Sequence, residues 1–155
     1  MFTPKYFNVH WYGPYVTEEA GNLTDPNLVL YMICGTHGMY GKNVPLYIGK
    51  TIRSITQRLK EHDWINREPD PVQIYAAAIS KPFLAWDELK NEYAYPAPEN
   101  QIIEEIESLI IFAHQPVYNT RSKGERQSLD HDFVVFNTGR RSTLLPEVSS
   151  MYWYG

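Results

Sequence analysis

Cysteine occurs once in these 155 residues, at Cys34, so the chain cannot build an internal disulfide framework. His10, His37, His114 and His131 have no partner at metal-ligand spacing, which with a single thiol argues against a structural zinc site. Cys34 closes the apolar run Leu28-Val-Leu-Tyr-Met-Ile-Cys34, the setting of a small buried hydrophobe rather than a reactive thiol. Long apolar stretches are missing as well. None approaches the roughly 20 residues that span a bilayer, and residues 1–16 lack the apolar centre of a secretion signal, so a cytoplasmic protein with no membrane partner is expected. Charged residues are only 21% of the chain, and the net charge of −4 conceals an uneven distribution. Residues 28–67 carry +4 and residues 68–107 carry −7. The basic block leaves room for a polyanion site in a chain that is acidic overall.

Aromatic residues are plentiful, with twelve Tyr, six Phe and four Trp. In residues 1–27 they mix with Pro4, Gly13, Pro14, Gly21 and Pro26, which reads as an irregular N-terminal arm holding at most one short strand. Val29 to Ile33 reads as a buried strand, too short and too rich in branched and aromatic residues for a helix. Turn residues between Thr36 and Pro45 then lead into a second strand, Leu46 to Gly49, completing a hairpin. Ser54-Ile-Thr-Gln57 has the form of a capping box and predicts a helix over 54–66, with Ile55, Leu59 and Ile65 inward and Arg58 and His62 together on a neighbouring face. Val72 to Ile79 is the third strand, and Phe83 to Tyr93 is a short-helix candidate. A helix over 98–114 begins with Pro98 in its first turn and buries Ile102, Ile103, Ile106, Leu109, Ile110 and Ala113, with Glu107 on the margin of the stripe and Glu104 opposite it. Pro116 stops it. Phe133 to Phe136 is a possible last strand, followed by an aromatic tail.

The order Tyr31, then Leu46-Tyr-Ile-Gly-Lys-Thr51, then Gln57-Arg-Leu-Lys-Glu-His62, then Glu107 and Asn119 resembles the GIY-YIG nucleases over about residues 28–120. The first motif keeps its tyrosine at Tyr31 but has Val29-Leu30 in place of Gly-Ile. Gly38-Met39-Tyr40 is a competing placement, set aside because only Tyr31 lies in a strand-like run. The resemblance implies an α/β (α+β) fold. Its small, mostly antiparallel three-stranded sheet is flanked by helices in a nuclease domain at 28–120, between an arm at 1–27 and a C-terminal extension at 121–155. It also implies a metal-dependent endonuclease acting on nucleic acid, with DNA as the expected substrate and Mg2+ or Mn2+ as cofactor. Such a chain is short of room for a separate recognition domain, so it would cut with modest selectivity, act as a homodimer, or work with a partner protein.

Under that resemblance the site residues are Tyr31, Tyr47, Arg58, His62, Glu107 and Asn119, with Gly49, Lys50, Arg53 and Arg58 against the nucleic acid. The residue types suit phosphodiester hydrolysis. Arg58 offers a fork of donors for phosphoryl oxygens. Glu107 alone can hold a divalent cation, because magnesium retains waters and takes phosphate oxygens as further ligands. The resemblance implies Tyr31 as the base that activates water, assisted by Tyr47 or His62. A phenol with a pKa of about 10 needs help to act so, whereas an imidazole near 6.5 does not, and His62 is the easier base on chemistry alone. Asn119 supplies a neutral amide that fixes geometry. Two other readings stay open: a binding module of the same fold without catalysis, and an RNA-cleaving or toxin nuclease.

Overall fold

The computed structural model describes residues 5–51, 55–89, 95–120, 123 and 132–153. It is a mixed α+β protein built on one curled sheet of six strands: β1 (Lys5–Tyr15), β2 (Leu30–His37), β3 (Gly41–Lys50), β4 (Gln73–Ile79), β5 (Phe133–Gly139) and β6 (Glu147–Ser149). Their order across the sheet is β3-β2-β4-β1-β5-β6. All neighbouring pairs are antiparallel except β1 and β5, which run parallel. Among the described residues four α-helical segments accompany the strands: α1 (Thr17–Ala20), α2 (Ile55–Lys60), α3 (Asn100–His114) and α4 (Ser150–Trp153). No helix among the described residues is long and apolar enough to cross a membrane.

The β2–β3 hairpin and β4 are present, but β2 runs on to His37 and β3 begins at Gly41, so most of the stretch between Thr36 and Pro45 expected as turn is paired strand. The sheet is twice as wide as the three strands expected, because residues 5–15 and 133–149 are integral to it rather than arms packed against a finished domain. The reason is visible in β1. Phe7, Val9 and Trp11 alternate with Asn8 and His10, and the apolar set is buried on one face while β4 and β5 take the two backbone edges. A strand with both edges occupied is central, whatever the Gly and Pro content at its end.

The two faces are covered differently. On one, α3 buries Ile103, Ile106, Leu109 and Ile110 against Phe7, Val9, Trp11, Leu30, Met32, Ile48 and Val135. Each such side chain contributes roughly 1.5–3 kcal/mol by leaving water. On the other, Ile55 and Leu59 of α2 cover Tyr31, Ile33, Ile74 and Ala76. Cys34 is buried among the first set's strands, and burial pushes its thiol up to about 12. The helix expected over 98–114 begins at Asn100 with Glu99 as N-cap, leaving Pro98 outside its first turn, and ends at Gln115 in a left-handed conformation before Pro116. The helix expected over 54–66 is shorter. It stops at Lys60, His62 takes a non-helical backbone, and Asp63–Arg67 continue as a 3-10 helix. The Ser54 cap lies outside the described residues. Of the candidate helix over 83–93, Trp86–Leu89 form a 3-10 turn.

Candidate active site

Tyr31 is the second residue of β2, where its Cα pairs with Gly49 of β3 and, on the other side, with Ala76 of β4. Its ring is wholly buried and lies directly over Gly49: a Cβ there would come within 2.7 Å of the Tyr31 Cζ and hydroxyl oxygen. Glycine at 49 is therefore a space requirement of the Tyr31 phenol. This accounts for it without the nucleic-acid contact expected from sequence.

The Tyr31 hydroxyl is hydrogen-bonded to His62 Nε2 at 2.8 Å. The Tyr47 ring, two residues before Gly49 on β3, stands 4.4 Å centroid to centroid from the imidazole and 5.9 Å from the Tyr31 ring. The irregular backbone at His62 is what delivers its ring to this place; a helix continued through 62 is not observed. Burial pushes the Tyr31 phenol well above its ordinary value, Tyr47 adds to the rise, and the nearby Arg58 guanidinium opposes it. Burial and then Arg58 hold His62 below the usual imidazole value, with Glu61 pulling the other way, so His62 is neutral at pH 7.

Arg58 is half-buried on α2. Its Nη1 donates to Glu61 at 2.8 Å, while its Nε is buried without a hydrogen-bond partner. A buried guanidinium N–H left unpaired costs on the order of 1–3 kcal/mol, and here it belongs to a group placed beside the Tyr31 hydroxyl. Glu107 extends from α3, the helix on the opposite face, towards the end of β3. Burial pushes its carboxyl up to about 7 against the pull of the Lys50 ammonium and backbone and of Arg58, with Glu104 adding to the rise. Lys50 itself is ion-paired with Glu104 and within 3.5 Å of Asn100. The guanidinium and the carboxylate thus feel one another.

Asn119 acts on the backbone of β3 beside Tyr47. It is buried, and its amide binds the backbone of Ile48 at both ends: Nδ2 donates to the Ile48 carbonyl at 2.8 Å and Oδ1 accepts from the Ile48 N–H at 2.9 Å. The Tyr118 N–H adds a bond to the Leu46 carbonyl at 2.7 Å. Asn119 therefore fixes the outer edge of β3 between Tyr47 and Gly49, and is a positioning residue. Arg53 lies outside the described residues.

Glu61, Glu104 and Trp64 were not singled out from sequence. Glu61 follows Arg58 by three on a helix, which is a readable signal. Glu104 was not readable as a partner of Lys50, since the two are 54 residues apart and meet only because α3 crosses the end of β3. Trp64 reaches the cluster through its contact with His62, 5.9 Å between centroids, and carries the aromatic row outward to the half-exposed Tyr118.

Among the described residues no group of three or more His, Cys, Asp or Glu side chains could together hold a metal ion. A one-carboxylate site at Glu107 fits what is there. The carboxyl is desolvated, is bonded to a backbone N–H of Lys50, and gains from any added cation. The chain matched no family model, no curated protein and no solved structure.

Proposed function

We propose that this protein is a GIY-YIG-type endonuclease that hydrolyses phosphodiester bonds in nucleic acid, DNA first, with a divalent cation. The observation that carries the reading is the Tyr31–His62 hydrogen bond at 2.8 Å, formed between residues 31 apart in sequence, with Tyr47 and Arg58 at the same place. Arg58 and Glu107 stand on elements covering opposite faces, and the guanidinium has a small electrostatic influence on the carboxyl, the weakest of those acting on it. The hairpin of β2 and β3 with β4 and the helices α2 and α3 is the part of the fold that the family resemblance calls for, the other strands being additions to it.

Glu107 would hold the cation, which when bound supplies positive charge near the leaving oxygen. The remaining work falls to side chains. Arg58, permanently charged and partly exposed, donates to the phosphoryl oxygens as negative charge grows on them. His62 is the base. Tyr31 is wholly buried and its phenol is made less acidic, so it does not meet the attacking water. His62 is half-exposed and also lines a cavity of about 310 Å³ with Leu59, Asp63 and Ile65. With Nε2–H donating to the Tyr31 oxygen, Nδ1 carries the lone pair that takes the proton from water. The hydroxide equivalent attacks phosphorus, the bond to the leaving oxygen breaks, and that oxygen takes a proton from solvent. Tyr31 thereby orients the imidazole, and Tyr47 and Asn119 hold the strand edge beside it.

The test is nicking of a supercoiled plasmid with Mg2+ by the parent and by Arg58→Ala, Glu107→Ala, His62→Ala and Tyr31→Phe. Cleavage that is abolished by chelator and by the first three variants supports the reading. Cleavage that survives Glu107→Ala and Arg58→Ala sinks it. The burial of Tyr31 favours one alternative, a nucleic-acid-binding module without catalysis. In that case the parent binds the plasmid, with Arg58→Ala weakening it, and never nicks it. Parallel digests of DNA and RNA assign the substrate, and sedimentation tests for a homodimer.

A further inference from the structure

The cavity of about 310 Å³ that His62 lines opens where α2 gives way to the 3-10 helix Asp63–Arg67. Leu59 and Ile65, from either side of that break, give it an apolar floor continuous with the core around Tyr31 and Ile33. Lys60, Asp63 and Asn66 stand around it, and α1 adds to the wall. The attacking water needs only a small part of this space, since one water takes up about 30 Å³. The volume as a whole reaches the range of ligand pockets, which begins at roughly 300 Å³.

The polar side chains of the wall are accessible and uncommitted. Lys60, Asp63 and Asn66 are exposed, and no hydrogen bond or ion pair among the described residues takes up the Asp63 carboxylate or the Asn66 amide. Asp63 and Asn66 are three apart in a 3-10 helix, where side chains at that spacing eclipse one another. One side of the helix therefore presents a pure acceptor and, next to it, an amide that both donates and accepts. Asp63 carries the one negative charge among the described lining residues and Lys60 the one positive charge. A phosphate gains nothing by leaving the Arg58 guanidinium for such a wall. What suits it is a flat, uncharged group with N–H donors of its own and an apolar face to lay on Leu59 and Ile65.

A strand whose scissile phosphate lies at His62 carries a base directly on each side of it, and His62 is also part of the cavity wall. We propose that the cavity takes one of these two bases, unpaired and turned out of its stack, and that Asp63 and Asn66 select bases carrying an exocyclic amino group. Adenine, cytosine and guanine each have one, and thymine has none. Asp63 accepts from that amino group, as acidic side chains do from cytosine elsewhere, while the Asn66 amide pairs with a neighbouring ring atom. A base enters only by leaving its partner, at a cost that is least where it is already unpaired. The substrate class is therefore single-stranded or locally unpaired nucleic acid. The inference rests on the catalytic reading, which brings the strand to His62.

Fluorescence anisotropy of the full chain with labelled single strands of adenine, cytosine or thymine alone tests this, with chelator present so that nothing is cut. The adenine and cytosine strands bind about tenfold more tightly than the thymine strand, the worth of one good pair to a base. Asp63→Asn brings the thymine strand level with them, because an amide can donate to the thymine carbonyl oxygens. Asn66→Ala lowers the preference. Both positions are exposed, and thermal unfolding confirms that both variants fold. Equal binding of the three strands by the parent overturns the inference, as does no binding or a preference that both variants leave unchanged. With Mg2+, a single strand is cut faster than the same sequence in a duplex, and each cut has an amino-bearing base on one fixed side; Asp63→Asn admits thymine there. A duplex cut as fast as the single strand also overturns the inference. The two readings fail separately. A chain that discriminates among the strands but never cuts refutes the catalytic reading alone, and one that cuts while binding all three strands alike refutes the cavity's part alone.

Discussion

The Tyr31 phenol and Gly49 occupy facing positions on paired strands, and the ring fills the volume that a side chain at 49 would need. Gly49→Ala puts a methyl carbon 2.7 Å from ring atoms that are themselves walled in, so Tyr31 must turn and the bond to His62 is lost. Overpacking of this kind costs about 1–3 kcal/mol. Chemical denaturation of Gly49→Ala beside Gly38→Ala checks it, since a Cβ at Gly38 meets nothing within 4 Å and that variant stays close to the parent.

The roles of Tyr31 and His62 separate in kinetics. If His62 takes the proton, His62→Ala lowers kcat by about 10²–10⁴. Tyr31→Phe removes one orienting hydrogen bond, about 0.5–1.5 kcal/mol, and lowers kcat by tenfold or less. The rate falls on the acid side as the imidazole protonates, at a pH below the ordinary imidazole value because burial and Arg58 lower it. A Tyr31→Phe variant that is far slower than His62→Ala returns the base to the phenol.

Asn119 is expected to reveal itself through charge rather than size. Asn119→Asp retains the acceptor for the Ile48 N–H but faces the Ile48 carbonyl with a second oxygen, and two acceptors repel where a donor stood. Asn119→Ala leaves both backbone groups of Ile48 without their partner, a loss of about 1–3 kcal/mol. Both variants unfold at lower denaturant than the parent, and slower cleavage accompanies the loosened edge of β3.

Glu107 trades stability for its place in the site. Its folded pKa of about 7 lies above the 4.5 of an ordinary carboxyl, so the folded protein keeps the proton longer and stability falls as pH rises from 4.5 through 7. Glu107→Gln removes that dependence. Thermal unfolding should place the variant's Tm above the parent's at about pH 8 and close to it at about pH 5, while Mg2+-dependent nicking is lost.

His114 gives a pH dependence of the opposite sign. Its Nδ1 donates to the Ile110 carbonyl at 2.8 Å and its Nε2 accepts from the Leu145 N–H at 2.8 Å, a pairing that only the neutral ring satisfies. Burial lowers its pKa, with the Ile110 carbonyl opposing. The stability it contributes is complete above the unfolded value of 6.5 and is lost as pH falls through the lower folded value. His114→Ala is less stable at neutral pH and has a flatter stability curve on the acid side of 6.5, measured by urea denaturation at several pH values.

The parts of the molecule that could be read from sequence are those whose signals are local. The strands around Tyr31 and Tyr47 and the apolar stripe of α3 each declare themselves within a few residues. β1 did not, because the proof that Lys5–Tyr15 is central lies in its partners, Gln73–Ile79 and Phe133–Gly139, far along the chain. Polar Asn8 and His10 also disguised a buried strand, being satisfied by Ser80, Tyr95 and Thr138 across the sheet. At the site, spacing predicted that Arg58 and His62 share a helix face. The helix ends before His62, and tertiary contact with Tyr31 brings the ring in instead.

The parallel pairing of β1 with β5 joins Lys5 to Phe133 and Trp11 to Gly139. One long edge of β1 therefore stays bare until more than a hundred further residues have been synthesised, and the ribosome cannot release a finished sheet piecemeal. Closing so large a loop is slow, and the waiting strand, with Phe7, Val9 and Trp11 along it, is an adhesive surface for as long as the closure takes. Newly made chains of this protein should thus depend on holding factors in the cell more than their modest length suggests.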